Sequence, residues 1–263
     1  MNHKLTKSQS LEYLYKMLLI RQFEEACASL YMKRKIGGFL HLYIGQEAVA
    51  VGAESVLGEN DYVVSHYRDH GHAIARGMDP NIVMAELLGK ADGSSGGKAG
   101  SMHLFDASKN FMGGYAIVGG QLPIAVGLGL ACKLKNNGNV VLCFLGDGAV
   151  NQGTFHESLN LASLWSLPII FLLENNLYGM GTHVEITHAI GKDLYKMADA
   201  YKMAAAQIDG MDLVSVRNTT LDALHQIHTY SKPMLIEAMT YRFRGHSMSD
   251  PAKYRDKSEL SEW

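Results

Sequence analysis

Two apolar segments, each followed at once by polar residues, constrain the fold of this chain more than any other feature. Residues 140–145 read Val-Val-Leu-Cys-Phe-Leu, and residues 168–173 read Pro-Ile-Ile-Phe-Leu-Leu. Uninterrupted apolar strands are typical of a parallel sheet whose two faces are both covered. The intervening residues 154–164 predict a helix, with Thr154 and Glu157 at the spacing of a capping box. The segment therefore predicts two neighbouring parallel strands joined by a helix.

The same alternation of strands and helices extends over most of the chain. A first helix is predicted over about residues 8–35, with Ser8 or Ser10 as its cap. Further helices are predicted over 46–57, 80–88, 123–134, 193–203 and 221–229, and further strands over 61–65 and 234–240. Residues 89–101, rich in glycine, predict a flexible loop inside the domain. We therefore expect a single α/β domain over residues 1–263, with a mainly parallel sheet covered by helices on both faces.

The charge balance and the apolar pattern argue against several classes of function. Lys and Arg number 24 against 26 Asp and Glu, for a net charge of −2, so we expect no nucleic-acid partner and no membrane-surface role. No apolar run approaches the ~18 residues of a membrane-spanning helix. Residues 1–6 resemble neither a signal peptide nor a transit sequence, which predicts a cytoplasmic protein. The three cysteines, Cys27, Cys132 and Cys143, show no metal-binding spacing and are expected to be buried.

A candidate metal site follows from what ends the two apolar strands. Asp147 follows the first strand within Gly-Asp-Gly, and Asn176 follows the second, 29 positions later. Parallel neighbours end at the same edge of a sheet, ~4.8 Å apart, so both side chains can reach one small ion. Their oxygens suit Mg²⁺ or Ca²⁺ and disfavour zinc, and Mg²⁺ commonly takes further ligands from phosphates. Gly-Asp-Gly alone reads as a turn, but the pair at this spacing favours a hard-metal, diphosphate-type site.

The residues around this pair resemble the thiamine-diphosphate motif of the E1 α subunits of 2-oxoacid dehydrogenases. The motif runs from Gly-Asp-Gly-Ala-Val-Asn-Gln-Gly at 146–153 to Glu-Asn-Asn-Leu-Tyr-Gly-Met-Gly at 174–181. Further segments that are similar to the family lie at 41–48, 67–71, 100–103, 117–123 and 241–251. The resemblance covers nearly the whole chain and implies the thiamine-diphosphate-binding fold.

The resemblance assigns roles to individual residues by position. It implies that Mg²⁺ is bound by the side chains of Asp147 and Asn176 and by the backbone carbonyl of Tyr178. The residues that it places against the cofactor are Tyr67, Arg68 and His246 on the diphosphate side, and the backbones around Ala116, Val118, Gly148 and Ala149. Arg68 suits this place because a guanidinium can grip two phosphate oxygens. His41 is placed near the bound 2-oxoacid, and His41 and His246 become the candidates for positioning and proton transfer.

The resemblance also implies a reaction and partners. Residues 245–251, Gly-His-Ser-Met-Ser-Asp-Pro, are similar to the pyruvate dehydrogenase version of the family. This implies pyruvate as substrate, an E1 β subunit in a heterotetramer of two α and two β chains, and an E2 acyltransferase that receives the acetyl group. The motifs offer no carboxylate to activate the cofactor ring, since Glu174 reads as support for a turn. In the family that glutamate comes from the β subunit, so we expect this chain to be inactive alone.

Two alternatives stay open. The chain could be the E1 α subunit of a branched-chain 2-oxoacid or acetoin dehydrogenase, although residues 245–251 favour pyruvate. Family members continue beyond the Asp250-Pro251 loop, whereas this sequence ends at Trp263 in what reads as a helix start over 257–263. A shortened, non-catalytic chain that only binds a partner is therefore the second alternative. The retained Asp147 and Asn176 argue against it.

Overall fold

A computed structural model of the chain describes residues 4–256, 258–261 and 263. The described strands form one six-stranded sheet in the order β2-β1-β3-β4-β6-β5, and every neighbouring pair is parallel. The strands are β1 Tyr62–His66, β2 Phe111–Tyr115, β3 Val141–Gly146, β4 Ile169–Asn175, β5 Ala204–Asp209 and β6 Met234–Met239. The predicted α/β class with a parallel sheet is confirmed.

Helices cover both faces of this sheet. They are α1 Lys7–Met32, α2 Glu47–Glu54, α3 His70–Ala75, α4 Pro80–Leu87, α5 Gln121–Lys135, α6 Gly153–Leu164, α7 Val184–Thr187 and α8 Leu213–Tyr230. Side chains of β3 and β4 alternate between two apolar clusters, one shared with α1, α2 and α8 and the other with α5 and α6. Both strands are buried almost throughout, which is why their sequences are continuously apolar.

Two predicted helix caps were wrong. Helix α1 begins after Thr6, not at Ser8 or Ser10: the Thr6 side chain accepts from the backbone N–H of Gln9, and the Gln9 side chain accepts from that of Thr6. Helix α6 begins at Gly153 without a side-chain cap, so the predicted Thr154 capping box does not form. The Thr154 hydroxyl instead donates to the carbonyl of Gly119, at 3.3 Å, because this helix start faces the loop before α5.

The sequence pattern missed two strands and misjudged several boundaries. Strand β2 contains two adjacent glycines, and β5 is a half-exposed edge strand rich in alanine, so neither shows a strong apolar run. Helix α8 starts eight residues before its predicted start, capped by Asp212. The segment predicted as a helix over 193–203 is a 3₁₀ helix at Leu194–Tyr201. Of the predicted helix over 257–263, a 3₁₀ turn is present at Glu259–Ser261, and residues 257 and 262 lie outside the described part.

The glycine-rich loop over 89–101 has a specific anchor. The buried carboxylate of Glu86, in α4, accepts hydrogen bonds from the backbone N–H groups of Ser95, Gly97, Ala99 and Gly100, at 2.7–3.1 Å. Burial works against the ionised form, but these bonds together lower the pKa of Glu86. Composition could not reveal this anchor because it lies in the preceding helix.

None of the helices in the described ranges is both long and apolar enough to cross a membrane.

Candidate functional site

A cavity of about 440 Å³ opens at the carboxyl edge of the sheet. The chain runs from β1 to β2 on one side and returns to β3 on the other side of β1. Loops that follow β1 and β3 therefore diverge and leave a crevice, where α/β proteins commonly bind ligands. The residues just past β1, β2, β3, β4 and β6 all contribute to the wall of this cavity, together with the segment before α2.

All the site residues that the sequence singled out line this one cavity. They are His41, Tyr67, Arg68, Ala116, Val118, Asp147, Gly148, Ala149, Asn176, Tyr178 and His246. A Cβ added at Gly146 or Gly148 would meet no atom within 4 Å, so the backbone there borders open space that a ligand can fill. The structure thus brings together residues that are up to 205 positions apart in the sequence.

Asp147 and Asn176 lie at neighbouring strand ends, as the spacing predicted. Strands β3 and β4 pair in register up to Gly146 opposite Glu174. Burial raises the pKa of Asp147, and the nearby Arg242 counteracts this rise. The Nη1 of Arg242 donates at 2.7 Å both to the Oδ1 of Asn176 and to the carbonyl oxygen of Tyr178. One buried guanidinium therefore gathers two oxygens beside a buried carboxylate.

Arg68 joins the two segments that carry the candidate histidines. Its Nη1 donates to the carbonyl oxygen of Leu42 at 2.8 Å, and its Nη2 donates to that of His246 at 3.0 Å. The rings of His41 and His246 lie 5.3 Å apart, and the ring of Tyr67 lies 4.6 Å from His41 and 5.8 Å from His246. Three rings and one guanidinium thus form one wall of the cavity.

Both of these histidines are held neutral. Burial, and next the charge of Arg68, lower the pKa of His41 and of His246 to about 3. Within the described residues, the Nδ1 of each ring is buried and has no hydrogen-bond partner. Buried polar atoms normally have partners, so these two nitrogens are exceptions among the described residues, as are Gln46 Nε2, Gln121 Oε1 and Arg242 Nε in the same cavity wall.

The sequence did not identify several residues of the cavity. Glu174, interpreted from sequence only as support for a turn, lines the wall and is fully buried. It accepts hydrogen bonds from the Tyr43 hydroxyl and from His66 Nε2, the latter at 2.5 Å. A lone acidic residue inside the apolar strand β4 was the available signal. Arg242, Gln46 and Met102 also line the cavity; they lie in segments similar to the family, but the resemblance assigned them no role.

Exposed apolar side chains lie in the loops of the cavity or next to them. Ile117 is 76% exposed and Met180 70%, and Val118 is also exposed. Ile117, Val118 and Met180 lie in the loops that form the cavity, or directly beside it. Apolar residues concentrated around one opening are typical of a surface that another protein covers.

A family model described as "Dehydrogenase E1 component" matches residues 15–263. The chain is 47% identical over 261 residues to the protein named pyruvate dehydrogenase E1 component subunit alpha of Rickettsia felis, covering 99% of this chain and 80% of that protein. To the protein of the same name from Rhizobium meliloti it is 48% identical over 257 residues, covering 98% and 74%.

Two solved structures share the fold. Transketolase from Leishmania mexicana gives a TM-score of 0.63 at 18% identity, over 86% of this chain and 36% of that one. Transketolase from Campylobacter jejuni gives 0.65 at 18% identity, over 89% and 39%. The chain thus spans less than half of either transketolase, and the likeness is one of fold.

Proposed function

We propose that this chain, which belongs to the dehydrogenase E1 component family, is the α subunit of a pyruvate dehydrogenase E1 enzyme. The observation that carries the proposal is the single cavity into which the topology collects Asp147, Asn176, Arg68, His41 and His246. These residue types suit an anionic cofactor bound through a divalent cation, with histidines facing a small acid. The relatives at 47–48% identity carry the pyruvate dehydrogenase name.

The cavity fits thiamine diphosphate on its diphosphate side. The backbone at Gly146 and Gly148 borders open space, so a phosphate can approach the main chain closely. Arg68 supplies a buried positive charge beside Tyr67. His41 and His246 border the same cavity.

The donor set fits Mg²⁺. The proposed ligands are a carboxylate from Asp147, the Oδ1 of Asn176 and the carbonyl oxygen of Tyr178, all hard oxygens. A cation beside Asp147 also offsets the burial that raises the pKa of this acid. The Nη1 of Arg242 already donates to the oxygens of Asn176 and Tyr178, and it thereby orients these two proposed ligands.

In the reaction, thiamine diphosphate supplies the nucleophilic carbon and the electron sink for decarboxylation of a 2-oxoacid. The chain holds and orients the reactants. Arg68 fixes the positions of His41 and His246 through the carbonyls of Leu42 and His246. Because both imidazoles are neutral near pH 7, each carries one ring N–H that can donate a hydrogen bond to a carboxylate or carbonyl oxygen of the substrate.

The acid that activates the cofactor ring comes from a partner subunit. Among the described residues that line the cavity, the carboxylates are Asp147 and Glu174. Asp147 is assigned to the metal, and both oxygens of Glu174 already accept hydrogen bonds inside the chain. The acid that activates the cofactor ring therefore belongs to an E1 β subunit, which covers the apolar mouth of the cavity. The two-carbon unit then passes as an acetyl group to the lipoyl disulfide of an E2 acyltransferase, which is reduced to a dithiol as that unit is oxidised.

Reconstitution tests this proposal. The chain is mixed with the E1 β subunit, thiamine diphosphate and Mg²⁺. The rate of decarboxylation of pyruvate is then compared with the rate of decarboxylation of branched-chain 2-oxoacids and with the rate of cleavage of acetoin. We expect turnover of pyruvate in the mixture and none with either subunit alone. Preference for another substrate would replace pyruvate in the proposal, and turnover by the isolated chain would contradict the assignment of the activating acid to the partner.

A further inference from the structure

We propose that His66 is a positioning residue for the diphosphate side of this cavity, acting through the backbone of Arg68. His66 ends strand β1 and lines the cavity, 8% exposed. The inference rests on the proposed thiamine diphosphate site and adds to it a residue that no motif of the cofactor site includes.

The hydrogen bonds of His66 fix its tautomer. The backbone N–H of Arg68 can only donate, and it donates to His66 Nδ1 at 3.0 Å. That nitrogen therefore carries no proton, and the proton of the neutral ring resides on Nε2. Nε2 lies 2.5 Å from the Oε2 of Glu174 and donates to it. With both ring nitrogens engaged, His66 transmits position and does not exchange protons with a ligand.

Glu174 gives His66 a rigid anchor. The carboxylate is fully buried near the end of the central strand β4. Its Oε1 accepts from the Tyr43 hydroxyl and lies 3.2 Å from Nε2 of His72. Both of these partners are themselves buried at 0% exposure. A network in which each member is partnered holds one geometry, so the His66 ring has a fixed reference point in the core.

Arg68 carries this position to the ligand-facing groups. Its backbone is tied to His66, and its guanidinium is tied to the carbonyls of Leu42 and His246. Leu42 directly follows His41 in the chain. One connected path of hydrogen bonds therefore runs from Glu174 through His66 and Arg68 to both candidate histidines. A shift of about an ångström along such a path is enough to weaken binding and catalysis markedly.

Two substitutions separate the two halves of the His66 contact. In His66→Asn, the side-chain oxygen stands near the position of Nδ1 and can accept the N–H two residues ahead, as in an Asx turn, but it does not reach Glu174. In His66→Gln, the longer amide reaches Glu174 but offers no acceptor to Arg68. His66→Ala loses both contacts. His156→Asn is the matched control, because His156 bonds the Tyr201 hydroxyl at 2.7 Å away from the cavity.

The test measures the affinity for thiamine diphosphate in the presence of Mg²⁺ and the E1 β subunit. We expect His66→Ala and His66→Gln to weaken binding on the order of tenfold, the effect of one well-placed hydrogen bond. His66→Asn keeps the bond to Arg68 but loses the anchor at Glu174, so it is expected to weaken binding less than His66→Ala and His66→Gln, while the control stays within about threefold of wild type. Equal affinities in all three variants, or recovery by Gln in place of Asn, would overturn the inference.

Two further measurements distinguish a positioning role of His66 from a purely structural one. The ¹⁵N shifts of the His66 ring in the isolated chain report its tautomer, and a proton on Nδ1 would contradict the proposed arrangement without any reference to activity. Thermal unfolding without cofactor detects a purely structural role, since such a role lowers stability in the variants but leaves no difference in affinity between Asn and Gln. Failure of the wild-type chain to bind thiamine diphosphate refutes the proposed function itself.

Discussion

Two groups of histidines in this molecule differ in one respect, the number of partners that their ring nitrogens have. His70 and His72 are fully buried beside the sheet, and each has a partner at both nitrogens: Glu24 and Ser101 for His70, and Ser65 and Tyr43 for His72. His41 and His246 line the cavity, and each has a buried Nδ1 without a partner in the described part of the chain.

Among these four histidines, the number of partners follows the proposed division between core residues and residues that face the ligand. His66 is partnered at both nitrogens as well, and its proposed role runs through Arg68 and not through contact with a ligand. A partnered buried histidine contributes to the specificity and stability of the core, since its network is complete without a ligand, whereas a buried nitrogen without a partner costs free energy. A buried hydrogen-bond network is therefore not by itself evidence of an active site. The chain Glu24–His70–Ser101 has the connectivity of a catalytic triad, yet the Ser101 hydroxyl is buried and none of the three residues lines the cavity.

The largest effect is expected from His246→Ala. Loss of this ring should lower decarboxylation of pyruvate by the reconstituted enzyme about a hundred- to a thousandfold, the range for loss of one hydrogen-bond donor to the reacting oxygens. The stability of the isolated chain should change by less than about 1 kcal/mol, because no side-chain partner is lost. Steady-state kinetics and urea unfolding measure the two quantities, with the exposed His225→Ala as control. A variant with normal kinetics and lower stability would reverse the assignment.

The opposite result is expected from His70→Ala. The substitution leaves the carboxylate of Glu24 and the hydroxyl of Ser101 without their shared partner at 0% and 6% exposure. Breaking such a buried pair costs about 3 kcal/mol, and urea unfolding of the isolated chain measures it. Residual enzyme that folds should retain its affinity for pyruvate. A stable variant with impaired kinetics would place His70 in the functional group.

The sequence predicted the position of the site better than its surroundings. Asp147 and Asn176 could be placed because strand ends and residue spacing determine where parallel neighbours meet. The anchors Glu174, His66 and Arg242 could not, because each contacts a partner far away in sequence: 108 positions separate His66 from Glu174, and 66 separate Asn176 from Arg242. Local pattern carries no information about such pairs.

The same limit explains the errors in the fold. Strand β2 is stabilised by pairing with β1 and not by its own Phe-Met-Gly-Gly-Tyr sequence, whose glycines disfavour a strand. Strand β5 pairs only with β6 at the edge of the sheet, so its alanines need no apolar run. Both segments form strands because of their pairing with β1 and β6, and the sequence of a few consecutive residues does not show such pairing.

A smaller effect is expected from Arg242→Lys, which tests the comparison at the metal site. Lysine keeps the charge, but its ammonium sits on a flexible stem and lacks the planar guanidinium whose Nη1 donates to both Asn176 and Tyr178. Loss of a residue that orients metal ligands weakens metal binding about 10- to 100-fold. The affinity for Mn²⁺, measured by electron paramagnetic resonance with thiamine diphosphate present, reports this loss. Arg244→Lys, at an exposed pair with Glu25, is the control. Tighter binding by Arg242→Lys would show that the guanidinium competes with the ion.

The most direct comparison of the two groups is the dependence of stability on pH. Burial holds the pKa of His41 and His246 near 3 in the folded chain, below the ordinary 6.5. Their contribution to stability is therefore complete above about pH 6.5 and is lost as the pH falls towards 3. For His70, burial favours the neutral ring, but the charge of Glu24 and the bond to it outweigh burial and raise the pKa.

The contribution of His70 therefore has the opposite sign: it is complete below about pH 6.5 and is lost as the pH rises through the raised value. Urea unfolding of the isolated chain across this range should show an acid limb that is reduced in His246→Ala and a limb above pH 6.5 that is reduced in His70→Ala. If both variants reduced the same limb, the two groups would share one electrostatic environment. The distinction between partnered and unpartnered histidines would then not account for their different roles.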